Sequence, residues 1–174
     1  LEKVRVIQQA GNERNFHIFY QLCKGAPKDI RKRFHLEQDC SKYRLLAKCQ
    51  DVETIDDVKE FEDVQQAFKD LGFSQDEVLG LYAIVASVLA LGNVSFKAGP
   101  EDSSVVDKKT MEFVNHAADG LGVDAAQLQK ALCTRELRIR GQENTTVLLS
   151  KKHAADTRDA LAKFAYGKMF DWIV

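Results

Sequence analysis

Apolar positions recur at helical spacing over most of this chain and alternate in only a few short places. In "GNERNFHIFYQLCKG", Phe16, Phe19, Tyr20 and Cys23 fall at i, i+3, i+4 and i+7, one face of a helix. Asn12 is the candidate N-cap, Glu13 suits the positive end of the helix dipole, and Gly25 and Pro27 end the element. "PKDIRKRFHL" reads as a short basic helix or turn, and "KYRLLAKC" as a short apolar, extended segment. In "DVETIDDVKEFEDVQQAFKDLGF", Phe61, Val64, Phe68 and Leu71 mark an inner helix face, and Gly72 stops it in a left-handed turn.

"SQDEVLGLYAIVASVLALGNVSF" is the most informative stretch. Ser74 with Glu77 three residues later predicts a capping box. Residues 78–91 are apolar almost all round, the pattern of a buried helix. That run is shorter than the roughly 20 apolar residues a membrane span needs. "GN" ends the helix and "VSFKA" is a brief strand. "GPEDSSVVDKK" reads as an exposed polar loop. "TMEFVNHAADGLGV" is a helix closed by Gly120 or Gly122, and "DAAQLQKALCTREL" a shorter one with Asp124 as N-cap.

Alternation appears at the two ends of this pattern. Residues 1–9, with Val4 and Val6, read as a strand or the exit from one. "TRELRIRGQENTTVLLSKK", residues 134–152, alternates like a β-hairpin, and "RDALAKFAYGKMFDWIV" after it reads as a strongly amphipathic helix. The expected fold is mainly α: one helical domain over residues 1–174, with short β segments and a protruding hairpin-like loop. No internal repeat or low-complexity tract is visible.

Composition narrows the function classes. A chain that is 45% hydrophobic and 29% charged can bury a sizeable core. Its formal net charge of −1 gives no general attraction to nucleic acid or anionic membranes, so a charged partner must be met by a local patch. The hairpin supplies one: Arg135, Arg138, Arg140, Lys151 and Lys152 against Glu136 and Glu143, five basic residues less two acidic, or net +3. The aromatic residues fall on core faces rather than beside these arginines, which speaks against a nucleic-acid site. Cys23, Cys40, Cys49 and Cys133 form no C-x-x-C pair, and His17, His35, His116 and His153 are scattered singly, so reduced cysteines and no zinc site are expected. There is no signal-peptide pattern. The start without methionine and the stop within "FDWIV" suggest a piece of a longer protein.

A search for catalytic motifs finds no P-loop, no G-x-G-x-x-G, no G-x-S-x-G and no H-E-x-x-H. The carboxylates between residues 51 and 70 read as a solvated helix face. His17, beside an aromatic face, reads as structural. No catalytic, cofactor-binding or metal-binding residue is expected on this chain.

Together the segments resemble the myosin motor domain. "LEKVRV" followed by "ERNFHIFYQL" is similar to the segment after switch I. "LGFSQDEVLGLYAIVASVLALGNVSF" resembles the buried helix and strand of the upper 50-kDa subdomain. "ALCTRELRIRG" followed by "RDALAKFAYGKMFDWIV" resembles the so-called cardiomyopathy loop and the helix after it. Order and spacing agree across nearly all 174 residues. The resemblance implies the slice between switch I and switch II of an actin-based, ATP-driven motor, on the upper wall of the actin-binding cleft. ATP and Mg2+ would be held by family segments not present here, so the ATPase would belong to the intact motor. The partners implied are F-actin and the remainder of the motor domain, with no nucleic acid and no membrane span. The location implied is the cytoplasmic actin cytoskeleton.

The resemblance also assigns residues. The loop in the hairpin's position contacts actin, which makes Arg135, Arg138, Arg140, Lys151 and Lys152 the candidate cations. Myosins tend to place an acidic or phosphorylatable residue sixteen positions before the Asp of "DALAK". Here that Asp is Asp159, and the position is Glu143; Thr145 and Thr146 are out of register. A fixed carboxylate there implies strong actin engagement without heavy-chain phosphorylation. Residues 97–109 match a second surface loop that in some myosins touches actin, but Lys97, Lys108 and Lys109 face Glu101, Asp102 and Asp107 in the count. The alternative is a self-standing helical interaction domain with a basic docking loop.

Overall fold

The computed structural model describes residues 2–49, 51–137 and 145–174. The fold is mainly α, with two small antiparallel sheets. In chain order the elements are α1 (His17–Gly25), α2 (Lys28–Arg33), α3 (Asp57–Asp70), α4 (Gln75–Asn93), β1 (Phe96–Ala98), β2 (Ser104–Val106), α5 (Met111–Leu121), α6 (Ala125–Cys133), β3 (Thr134–Leu137), β4 (Thr145–Leu148) and α7 (Lys151–Ile173).

Helix α4 is the axis of the core. Ser74 accepts from the Glu77 amide while Glu77 reaches back to the Ser74 amide, closing the predicted capping box. Val85, Val88, Leu89 and Leu91 are at most 1% exposed, with α5 packed on one side of the helix and α7 on another. Each such side chain stabilises the fold by about 1.5–3 kcal/mol. Gly120 permits a close α4–α5 approach: a Cβ there would overlap Ser87 Oγ and stand 2.7 Å from the Ala83 carbonyl oxygen. By length and composition α4, at 19 residues, could cross a membrane. Its length therefore does not argue against a span, because the helix is longer than the apolar run. Its burial does, since the helix packs as a core element with Leu81, Tyr82 and residues 85–92 buried inside the protein.

Residues 2–9 do not form a strand. Lys3–Val6 is a 3-10 turn in which Val6 is fully buried and Val4 is 54% exposed. Asn12 is not the cap of α1, which starts at His17. Asn15, 2% exposed, organises this entry instead. Its Oδ1 accepts from the Phe16 amide at 2.8 Å, and its Nδ2 donates to the carbonyls of Val6 and Leu45. Residues 44–48 form turns rather than an extended segment, with Leu45 and Leu46 buried.

Leu71 is 73% exposed rather than inward. Gly72, at φ +79°, turns the chain so that Phe73 packs edge-on against Phe68 in its place. The polar loop after "VSFKA" contains a strand, since β2 pairs with β1 through Phe96–Val106, Lys97–Val105 and Ala98–Ser104. Helix α5 ends at Gly122, left-handed at φ +66°. Helix α7 begins at Lys151, earlier than "RDALAK". It buries Ala154, Arg158, Ala162, Tyr166 and Met169 but leaves Phe164 and Trp172 more than half exposed, so its apolar residues are not confined to one face.

Candidate functional site

The basic hairpin grows directly out of two helices. Thr134 Oγ1 donates back to the Lys130 carbonyl as α6 becomes β3, and the Leu149 amide donates to the Cys133 carbonyl at 2.9 Å, closing the base. The register pairs Thr134 with Leu148, Arg135 with Val147, Glu136 with Thr146 and Leu137 with Thr145. Side chains alternate, so Arg135 and Leu137 share one face of the ribbon with Val147 and Thr145. Arg135 is exposed, as are Leu137 and Leu148. Buried Leu149 plugs the base.

Lys151 and Lys152 are exposed but lie off the strands, in the first turn of α7 behind the N-cap Ser150. Arg138, Arg140 and Glu143 lie outside the described residues. The structure therefore brings Arg135, Lys151 and Lys152 to one end of α7. This is an unfavourable place for lysines, because the helix N-terminus carries a partial positive charge and no acidic residue stands in that first turn.

Behind the hairpin, α7 is fixed by a buried arginine that sequence spacing does not reveal. Arg158 Nη1 donates to the Val94 carbonyl at 2.7 Å, and its Nε and Nη2 reach Asp159 Oδ1 at 2.9 and 2.8 Å. Arg44 Nη2 meets the same oxygen at 2.7 Å, and Arg44 Nε donates to the Gly92 carbonyl. Burial and the neighbouring Arg44 charge push the Arg158 pKa down, while Asp159 opposes them. Asp159, the carboxylate from which position 143 is counted, is thus pinned to the end of α4. Its partner Arg44 lies 115 residues away in sequence, which no local pattern could disclose.

A second buried cluster holds α1 to α3. Arg14 Nη2 donates to both Asp57 oxygens at 2.8 and 2.7 Å, and Lys24 Nζ meets Asp57 at 2.8 Å and Asp51 at 2.7 Å. The Arg14 guanidinium also lies 3.8 Å from the Tyr20 ring centroid. Burial opposes the Lys24 charge, but the bonds to Asp51 and Asp57 more than offset it and raise its pKa. His17 stands half-exposed with Glu60 3.6 Å away.

In the hairpin formed by β1 and β2, Lys97 pairs with Asp107 at 3.0 Å, and the Lys109 amide donates to the same carboxylate. Those bonds, the Lys109 amide first, hold the Asp107 carboxyl below the usual range. Part of this loop's charge is therefore matched internally.

Two concavities stand out. A cavity of about 660 Å³ between α2, α3 and α4 is floored by Phe61, Phe68, Phe73 and Tyr82, with the Gln65 amide on the Tyr82 hydroxyl. A smaller one of about 360 Å³ lies between α4 and the exposed side of α7, lined by Leu81, Ile84, Leu121, Leu161, Phe164 and Trp172. Among the described residues no group of three or more His, Cys, Asp or Glu side chains is placed to hold a metal. What the arrangement offers is a charged, rigidly based surface ribbon and an apolar groove, both suited to macromolecular contact.

A family model for the myosin head (motor domain) matches residues 1–174. The chain is 42% identical over 176 residues to Myosin-1 of Pyricularia oryzae, 39% identical over 180 residues to unconventional myosin-Ia of Mus musculus, and 40% identical over 176 residues to unconventional myosin-Ic of Gallus gallus. In each case the whole chain is covered, but only 14%, 17% and 17% of the relative.

Proposed function

The chain belongs to the myosin head (motor domain) family, and from that membership we propose that it is the actin-facing part of an ATP-driven motor working on the cytoplasmic actin cytoskeleton. In this reading residues 1–174 form one domain, the upper 50-kDa subdomain, and make the upper wall of the actin-binding cleft. The observation that carries the actin contact is the placing of Lys151 and Lys152. A cation in the first turn of a helix costs about 0.3–1 kcal/mol, and two exposed lysines there, beside exposed Arg135, make sense as ligands for an acidic partner. Arg138, Arg140 and Glu143 complete the proposed contact. The apolar groove at Phe164 and Trp172 suits the remainder of the motor domain.

ATP and Mg2+ are the substrate and cofactor of the intact motor. The donor set here does not fit them: the sequence has no glycine-rich phosphate loop, and the described residues offer no metal-ligand cluster. No step of ATP chemistry is assigned to this chain.

The test is co-sedimentation of the intact head with F-actin across a salt series. Binding should weaken with salt, and weaken further when Arg135, Arg138, Arg140, Lys151 and Lys152 are neutralised together. Unchanged affinity in that variant would remove the hairpin from the interface. Glu143→Ala should lower actin-activated ATPase. An unchanged rate would show that a fixed carboxylate at that position is not needed.

A further inference from the structure

Helix α7 makes a distinct contact towards each of its ends. Lys151 and Lys152 stand in its first turn, where the basic ribbon enters. Tyr166 lies fourteen residues beyond Lys152, about 21 Å away at roughly 1.5 Å per residue, and is 5% exposed. Its ring stacks on Phe16, with centroids 4.9 Å apart and planes 10° apart, and lies 5.3 Å from the Phe19 ring at a tilt of 32°. Aromatic rings attract one another at centroid spacings of about 4.5–7 Å. Beside Tyr166, the stem of Lys3 crosses Gly167: a Cβ there would stand 3.0 Å from Lys3 Cε and 3.3 Å from its Cδ.

The residues on the other side of this joint are tied into one unit. Asn15 Nδ2 donates to the Val6 carbonyl at 2.9 Å, which fastens the turn Lys3–Val6 to the start of α1. Phe19 is fully buried and Phe16 half-buried. Between its two contacts α7 is pinned to the end of α4, where Arg158 bonds the Val94 carbonyl and Asp159 meets Arg44. A helix held at mid-length and closely packed further along transmits a displacement of its first turn, because close-packed side chains resist compression.

We infer that the stack of Phe16, Tyr166 and Phe19, with Lys3 laid over Gly167, couples the actin-contacting end of α7 to the segment 2–16, and that Tyr166 is a positioning residue for actin activation of the ATPase. The inference rests on the motor reading given above. In that reading ATP is held outside residues 1–174, so actin at the ribbon acts on ATP turnover through packed contacts of this domain. Buried in the core, Tyr166 touches neither actin nor nucleotide. It fixes where the segment 2–16 lies against the loaded helix.

The experiment uses the intact head and measures its ATPase alone and over a range of F-actin concentrations. In Phe16→Leu and in Tyr166→Leu the maximal actin-activated rate should fall by about 2- to 30-fold, the range that residues carrying such coupling produce. The basal rate and the actin concentration for half-activation should stay as they are. Tyr166→Phe, which keeps the ring, should restore activation. The double variant should be no worse than Tyr166→Leu alone, as expected of two residues acting through one contact. If Tyr166→Leu does not fold, Phe16→Leu decides the matter, since its site is only half-buried. Full activation of a folded Phe16→Leu head would overturn the inference. So would basal and activated rates that fall in the same proportion, the mark of a structural loss alone. An unmutated head that actin does not activate would instead overturn the motor reading, and the inference with it.

Discussion

Asp57 is 5% exposed and carries the charges of Arg14 and Lys24. Removing one partner of a buried pair leaves the other charged and desolvated, at a cost of about 3–5 kcal/mol. Asp57→Ala should therefore lower the unfolding midpoint of the head far more than Asp51→Ala, whose side chain is 85% exposed. Parallel urea titrations check this. His116 gives a pH dependence. Its ring stacks on His35 with centroids 4.0 Å apart, and Glu112 and Asp119 are the nearby carboxylates. Burial first and the His35 charge second lower its pKa from 6.5, against the pull of Glu112 and Asp119. Folding therefore disfavours the proton. The stability His116 contributes is full above about pH 6.5 and lost as the pH falls through the depressed folded value. Between about pH 7.5 and about pH 5.5 the melting temperature of the unmutated head should fall further than that of His116→Gln.

Among the elements, α7 ties stability to binding. Lys151→Glu with Lys152→Glu replaces two cations at a helix N-terminus by anions, which should stabilise the helix by about 0.3–1 kcal/mol for each site. The same change should weaken actin binding if these lysines face an acidic partner. A variant that melts higher and binds actin less separates the two roles; one that melts lower refutes the dipole argument. Most helices were legible because caps and 3.6-residue periodicity are local. Ser74 with Glu77, Asp124, Gly72 and Gly122 each marked an end that the structure keeps. Strand β2 was not legible, because three residues inside a polar loop carry no period. The hairpin of β3 and β4 was, since its alternation runs longer. The supports of the site were hidden for a different reason. Arg158–Val94, Arg44–Asp159 and Arg14–Asp57 join residues 43 to 115 apart, and charge alone reads as solvent exposure.

At the scale of the whole molecule, stability concentrates on α4. Val85 is 1% exposed and Leu89 fully buried, each within a core that α4 shares with α5 and α7. An unpaired charge there costs several kcal/mol against a total of about 5–15 kcal/mol for a domain. Val85→Asp should abolish cooperative melting and leave the head insoluble, whereas Val58→Asp, at a site 48% exposed, should not. Soluble expression followed by a thermal scan distinguishes them.

The partners of α4 are made at different times. Helix α5 follows it closely, but β1 through β4 must all be synthesised before α7 appears. At about 5–20 residues per second, the growing chain spends seconds with an apolar helix whose α7 side is bare. By length and hydropathy that helix resembles a membrane span. The yield of folded head therefore depends on how quickly the ribosome crosses residues 94–150, and on whether a chaperone covers the bare side meanwhile.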